Sequence, residues 1–284
     1  MSAMRLVSFA NAGERPLVGV MVDDQVVALD PSAYPDMNSF LSAGASALAY
    51  AEKAAQSKSQ KTYRLSEVTL LAPVPRPGKI IAVGLNYRDH AIETKMEIPT
   101  VPVIFAKFPS SINGPEGSVV LPEDDPQCDY EAELGVVIGR NAKSVSEAEA
   151  LNYVAGYMPL NDVSARRWQF ADKQWVRGKS CDTFCPTGPW LTTQDAVADP
   201  HALAIQMRVN GKVVQNSNTS NLIFRVPALI AFISAAITLE PGDIIATGTP
   251  DGVGVFRKPP VFLKSGDVME VEIEGLGVLR NRVQ

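Results

Sequence analysis

The chain is short of the residues from which many sites are built. Its 284 residues contain only two histidines and three cysteines. The cysteines (Cys128, Cys181, Cys185) are odd in number and lack C-x-x-C spacing, which argues against a disulfide framework and a cysteine zinc site. Basic clusters are missing too: segments such as Arg166-Arg167 hold two adjacent positive charges, and the net charge is −5 with a pI near 5.2. That balance argues against a nucleic-acid partner. The longest apolar-rich run, Ala228 to Ile237, falls far short of the ~20 residues that span a bilayer. No leader is expected, because Arg5-Leu6-Val7-Ser8-Phe9 already reads as a strand. With no membrane segment and reduced thiols, a cytoplasmic location is the expectation. There is no βαβ rhythm, and Gly248-Thr249-Pro250-Asp251-Gly252-Val253-Gly254 matches neither G-x-G-x-x-G nor a P-loop.

What remains is ample apolar material, 46% of residues, for a globular core. Residues 1–70 have a texture of their own. The runs Leu17–Val22 and Val26–Leu29 flank Asp23-Asp24-Gln25 as a hairpin, and an Ala-rich helical stretch runs from Ser39 to Ala55. Pro73, Pro75 and Pro77 then forbid helix and mark a boundary. Residues 71–284 form the second unit. Its strand-like runs are Ile80–Val83, Val103–Ala106, Val136–Ile138, Val154–Met158, Leu203–Val209, Ile244–Ala246 and Val268–Ile273. Asn210-Gly211 reads as a tight hairpin turn. Helices are expected over Ser146–Leu151 and Val226–Ile237. The fold class is α+β and β-rich.

Chemistry gathers around Asp129-Tyr130-Glu131-Ala132-Glu133, which leads into the apolar run Leu134–Ile138. A period of two puts Glu131 and Glu133 on one side of a strand, roughly 7 Å apart. Either that strand end faces water, or the two like charges share a hard divalent cation. Asp162, at the end of Val154–Asn161, is either a helix N-cap or a third oxygen ligand. Three carboxylates without clustered Cys or His would favour Mg²⁺, Mn²⁺ or Ca²⁺. His90 and Glu93 lie at i and i+3 of a segment that follows a strand. They make either a surface ion pair or a general base with an oriented imidazole. Lys179, among small residues, either lies on the surface or pairs with a substrate carboxylate or enolate. Arg166 and Arg167 are weaker anion-binding candidates, at least one expected in a surface or interface salt bridge. His201, beside Pro200, reads as structural.

Together these pieces resemble the fumarylacetoacetate hydrolase family. The matching motifs are Gly84-x-Asn86-Tyr87-x-x-His90-x-x-Glu93, Phe105-x-Lys107, Glu131-x-Glu133-Leu134-x-Val136-Val137-Ile138-Gly139, Asp162-Val163-Ser164-Ala165-Arg166, Gly178-Lys179-Ser180 and Pro241-Gly242-Asp243-Ile244-Ile245-x-Thr247-Gly248-Thr249-Pro250. They run in family order over about three quarters of the chain, and chain length is more similar to the shorter hydrolase-domain-containing members. The resemblance implies a mixed β-sandwich roll, a homodimer, and a divalent metal held by Glu131, Glu133 and Asp162. It also implies a His90–Glu93 dyad on a lid segment, Lys179 beside the metal, and Thr249 on the loop that meets the substrate carboxylate. Leu85 departs from acylpyruvase-like members that carry arginine there. The expected reaction is hydrolytic cleavage of a C–C bond in a β-diketone or acylpyruvate-type 2-oxo acid. Decarboxylation or keto–enol tautomerisation of oxaloacetate on the same site is the alternative, and a metal-stabilised binding protein is the third reading.

Overall fold

Alternation along one strand sets the layers of the molecule. In Ala132–Ile138, Leu134, Val136 and Ile138 enter one hydrophobic cluster, while Val137 enters another on the opposite face. Because both faces are covered, the whole strand is buried. The computed structural model describes residues 3–13 and 15–284.

This strand sits inside an 11-stranded sheet. From one edge the order is Thr62–Arg64, Gln25–Ala28, Leu17–Val22, Arg5–Asn11, Leu191–Thr193, Val154–Asn161, Ala132–Ile138, Ile244–Ala246, Ile80–Gly84 and Val103–Lys107, with Val68–Leu70 also paired to Arg5–Asn11. Within this sheet Ile244–Ala246 and Ile80–Gly84 pair in parallel, and the other described pairings are antiparallel. A second sheet, Lys212–Asn218, Ala204–Val209, Val268–Ile273 and Gly277–Arg282, packs with the helix Val226–Ala236 against the Leu134 face. The helices Met37–Ser42 and Ala45–Gln56 cover the Val137 face through Phe40, Leu41, Ala47 and Ala51. The result is a β-rich α+β sandwich, as the resemblance implied.

The sequence's turn signals act as their chemistry requires. Asn210 and Gly211 both take positive φ (52° and 76°), the twist a two-residue hairpin needs. Two helix expectations change. The Ser39–Ala55 stretch is divided at Gly44, whose φ of 58° breaks the ladder and starts a second helix. Ser146–Leu151 is not an α-helix: Glu149, Ala150 and Asn152 bond to carbonyls three residues back, giving only a 3-10 turn over Ala150–Tyr153.

Candidate active site

Antiparallel register builds the acidic cluster. Ala132 pairs with Asn161, so the residues just beyond that rung, Glu131 and Asp162, emerge side by side, with the Asp162 amide donating to the Glu131 carbonyl at 2.9 Å. Glu133 follows on the same side of the strand. One carboxylate oxygen from each of Glu131, Glu133 and Asp162 lies within 4.8 Å of the others, and all three residues are buried. Burial removes the water-facing strand end from consideration. Asp162 is not a helix cap either, because the next helix starts at Arg166 with Ala165 at its N-cap.

Three buried cations answer four buried carboxylates here. Lys179 Nζ donates to Glu131 Oε2 and Asp162 Oδ2, both at 2.7 Å. Lys107 Nζ donates to Asp162 Oδ1 at 2.6 Å and also to the Lys179 carbonyl. Arg166 lies 2.7 Å from Glu131 Oε1 and donates twice to Asp129 Oδ2. Glu133 is left with the Gly248 amide at 2.8 Å, and among the described residues no cation lies within ion-pairing distance of it. Burial, then the charges of Asp162 and Glu131, push its carboxyl well above the usual range. Burial also opposes the charge on Glu131, yet Lys179 and Arg166 outweigh it and hold that carboxyl low. Burial likewise opposes the Lys179 ammonium, but Asp162 and Glu131 keep it charged beyond an ordinary lysine.

An all-oxygen donor set with one uncompensated buried carboxylate fits a hard divalent cation. Glu131, Glu133 and Asp162 would hold it. An isolated buried charge is costly, and a cation beside Glu133 removes that cost.

The second half of the site comes from Arg88–Thr94, which is helical, so His90 and Glu93 share a face. His90 Nδ1 lies 2.9 Å from Glu93 Oε2, and the Gly252 amide fixes the other carboxylate oxygen at 2.9 Å. With Nδ1 engaged by a carboxylate, the ring's Nε2 is the free nitrogen. His90, Glu131, Glu133, Arg166, Lys179 and Thr249 all line one cavity of about 120 Å³. Leu85, Phe105, Phe170, Trp175 and Phe256 supply its apolar wall, with Leu85 held at a φ of 49°.

The structure therefore gathers all seven singled-out side chains: five line the cavity, while Glu93 reaches it through His90 and Asp162 through its contacts with Glu131, Glu133 and Lys179. Lys179 is buried, not a surface lysine. Of the two arginines, Arg167 is exposed, but Arg166 is buried inside the site and not in a surface bridge. His201 is remote and structural: its Nε2 accepts from the Val226 amide at the start of a helix. Sequence reasoning gave no role to Lys107, Asp129 or Gln215. Lys107 carried a signal, as a lone charge closing an apolar strand. Gln215 carried none, since its neighbours Lys212 and Asn216 read as a solvated strand.

Comparisons with known proteins bear on these observations. A family model described as "Fumarylacetoacetate (FAA) hydrolase C-terminal" matches residues 79–284. A Xenopus laevis protein named "Oxaloacetate tautomerase fahd2, mitochondrial" is 48% identical over 289 residues, spanning 99% of this chain and 90% of its own. Among solved structures, 5-carboxymethyl-2-hydroxymuconate delta-isomerase from Mycobacterium smegmatis superposes with a TM-score of 0.80 at 36% identity, covering 99% of each chain. Maleylpyruvate hydrolase from Sphingobium sp. SYK-6 does so with a TM-score of 0.83 at 35% identity, again covering 99% of each. Among the described residues, no helix is long and apolar enough to cross a membrane.

Proposed function

The chain belongs to the fumarylacetoacetate hydrolase family, and on that premise we propose that it is a divalent-metal-dependent keto–enol tautomerase of a small 2-oxo acid such as oxaloacetate. The observation that carries this reading is the convergence on one cavity of a carboxylate-oriented imidazole and of Glu131 and Glu133, whose buried cluster Asp162 completes. The name of the 48%-identical relative supports oxaloacetate as the first substrate to try. The cavity's size also supports it, being well below the ~300–1,000 Å³ that takes drug-sized ligands.

Tautomerisation moves one proton. The C3–H bond breaks, its electron pair forms the C2–C3 double bond, and the C2 oxygen gains a proton. His90 Nε2 accepts the C3 proton as the C2=O π pair moves onto oxygen, then returns that proton to the oxygen, while Glu93 holds Nδ1–H and steadies the transient imidazolium. Glu93 is itself fixed by the Gly252 amide, so the ring arrives oriented. Lys179 stays charged and acts by its field on the oxygen that gains electron density, not as a base. Arg166 holds Glu131 in place through its clamp on Asp129. A bound divalent cation would supply Lewis acidity toward the 2-oxo acid's oxygens. The donor set favours Mg²⁺, Mn²⁺ or Ca²⁺ without separating them.

A second reading, C–C hydrolysis of an acylpyruvate, keeps one observation in its favour. The same free His90 Nε2 suits removal of a proton from water, and the maleylpyruvate hydrolase shares the fold. The test is to give metal-loaded protein oxaloacetate and acetylpyruvate in parallel. Enol–keto interconversion of oxaloacetate without pyruvate release is expected, whereas pyruvate and acetate from acetylpyruvate would establish hydrolysis instead. Oxaloacetate turned into pyruvate and CO₂ would mark a decarboxylase. Exposed Ile98, Val101, Val103 and Phe108, on or beside the edge strand Val103–Lys107, support a homodimer, to be checked by sedimentation. The Xenopus relative's name places that protein in mitochondria, so a strictly cytoplasmic location is not proposed.

A further inference from the structure

Gln215 reaches the site from the second sheet. Its strand, Lys212–Asn218, is an edge strand of mostly exposed or half-buried polar residues, yet Gln215 is only 2% exposed. A β-bulge explains the difference. Register steps from Met207 opposite Gln215 to Arg208 opposite Val213, which leaves Val214 as the extra residue and turns the strand locally. The freed Val214 carbonyl accepts from Arg257 Nη2. Bulges of this kind re-aim a side chain, and here the one re-aimed is an amide with both ends committed.

Its oxygen accepts from the Ala132 amide at 2.9 Å, the residue between Glu131 and Glu133. That bond decides which end of the amide is nitrogen. Nε2 then donates to Thr249 Oγ1 at 2.8 Å and to the Pro250 carbonyl at 2.9 Å. The consequence falls on Thr249. A hydroxyl has one proton to give. With its oxygen already accepting from an N–H that has no acceptor capacity, the Thr249 proton has the cavity to point into. Thr249 is thus a donor held ready for an anionic oxygen on that side.

We propose that Gln215 is a positioning residue: it acts through Thr249, fixing that hydroxyl as a hydrogen-bond donor to a carboxylate of the 2-oxo acid substrate. This rests on the 2-oxo acid reading above. Gln215 also ties this donor to the acidic cluster, since the same amide holds the backbone of the strand that carries Glu131 and Glu133. The neighbouring Ser217, two residues on, bonds Asp89 of the His90 helix. One strand therefore registers the carboxylate-binding loop and the dyad helix, through separate side chains.

The test compares Gln215→Met, Gln215→Glu, Thr249→Ala and Gln215→Met/Thr249→Ala with wild type. Oxalate affinity is measured by calorimetry in Mg²⁺ buffer, alongside kcat and KM for oxaloacetate and thermal melting. Loss of one hydrogen bond to a charged group weakens binding roughly 10- to 100-fold. Gln215→Met should weaken oxalate and raise KM by that order, with kcat within about twofold, and Thr249→Ala should match it. The double variant should be no weaker than Thr249→Ala, because both remove the same donor. Gln215→Glu keeps the acceptor for Ala132 but takes the Thr249 proton itself, so it should show the same loss and carries the test if Gln215→Met fails to fold. Asn216→Ala, on the exposed side, should bind as wild type. Oxalate affinity unchanged in both Gln215 variants, or losses that multiply in the double variant, would overturn the proposal. A wild type that binds oxalate with this pattern but tautomerises nothing would sink the tautomerase reading and leave the Gln215 assignment standing.

Discussion

The two halves of the site are built on opposite principles. The carboxylate cluster stands on central strands of the main sheet: Glu131, Glu133 and Asp162 are buried, and Lys107, Arg166 and Lys179 clamp Glu131 and Asp162. The dyad stands on a seven-residue helix at the mouth, where Ile92 is 77% exposed and the contacts are hydrogen bonds more than packing. Asp89 bonds Ser217 and Asn221, Arg88 bonds the Leu222 carbonyl, and Glu93 takes the Gly252 amide. A buried ionic lattice has no low-cost alternative arrangement, because any shift strands a charge. A short surface helix held by hydrogen bonds can open, since each bond is readily exchanged for water. The half that holds charge is locked by ion pairs, and the half proposed to move a proton is held by exchangeable hydrogen bonds.

The comparison breaks most completely at the cluster. Glu133→Ala should abolish cation binding and reduce tautomerisation to the level of chelator-treated protein, with the fold intact by circular dichroism. Next is the dyad: His90→Ala should lower kcat by about 10²–10⁴-fold while oxalate affinity stays near wild type. Glu93→Gln should cost less, near the ~10²-fold end of that range, because the base remains and only its orientation suffers. The fixed half also predicts a stability effect. Lys107→Met leaves Asp162 short of one partner and should destabilise the protein by about 3–5 kcal/mol in urea unfolding. The smallest effect lies far away: Gly44→Ala forces a side chain into an unusual backbone region and should cost about 1–3 kcal/mol without changing kcat.

The same contrast explains what was legible in the sequence. A strand's period of two placed Glu131 and Glu133 on one side but left their burial open, and the family resemblance singled them out together with Asp162. His90 and Glu93 could be read because i, i+3 spacing is local. Lys107 and Arg166 were harder, since their partners are 55 and 37 residues away and only register brings them near. Gln215 was invisible, because a bulge one residue long turns it from a solvated strand into the core. The helical stretch at Ser39–Ala55 was legible in composition but not in its division, which one glycine decides. The proposed division at residue 70 rests on sequence texture; limited proteolysis between residues 71 and 78 would show whether the two units come apart.

The proposed metal-dependent tautomerisation stands or falls on the carboxylate cluster. Its most direct test follows the enol absorbance of oxaloacetate with wild type and Glu133→Ala, each stripped by chelator and then given Mg²⁺ or Mn²⁺. Wild type should lose interconversion on stripping and regain it with metal, while Glu133→Ala should stay at the uncatalysed rate throughout. Interconversion that survives both stripping and Glu133→Ala would contradict the claim.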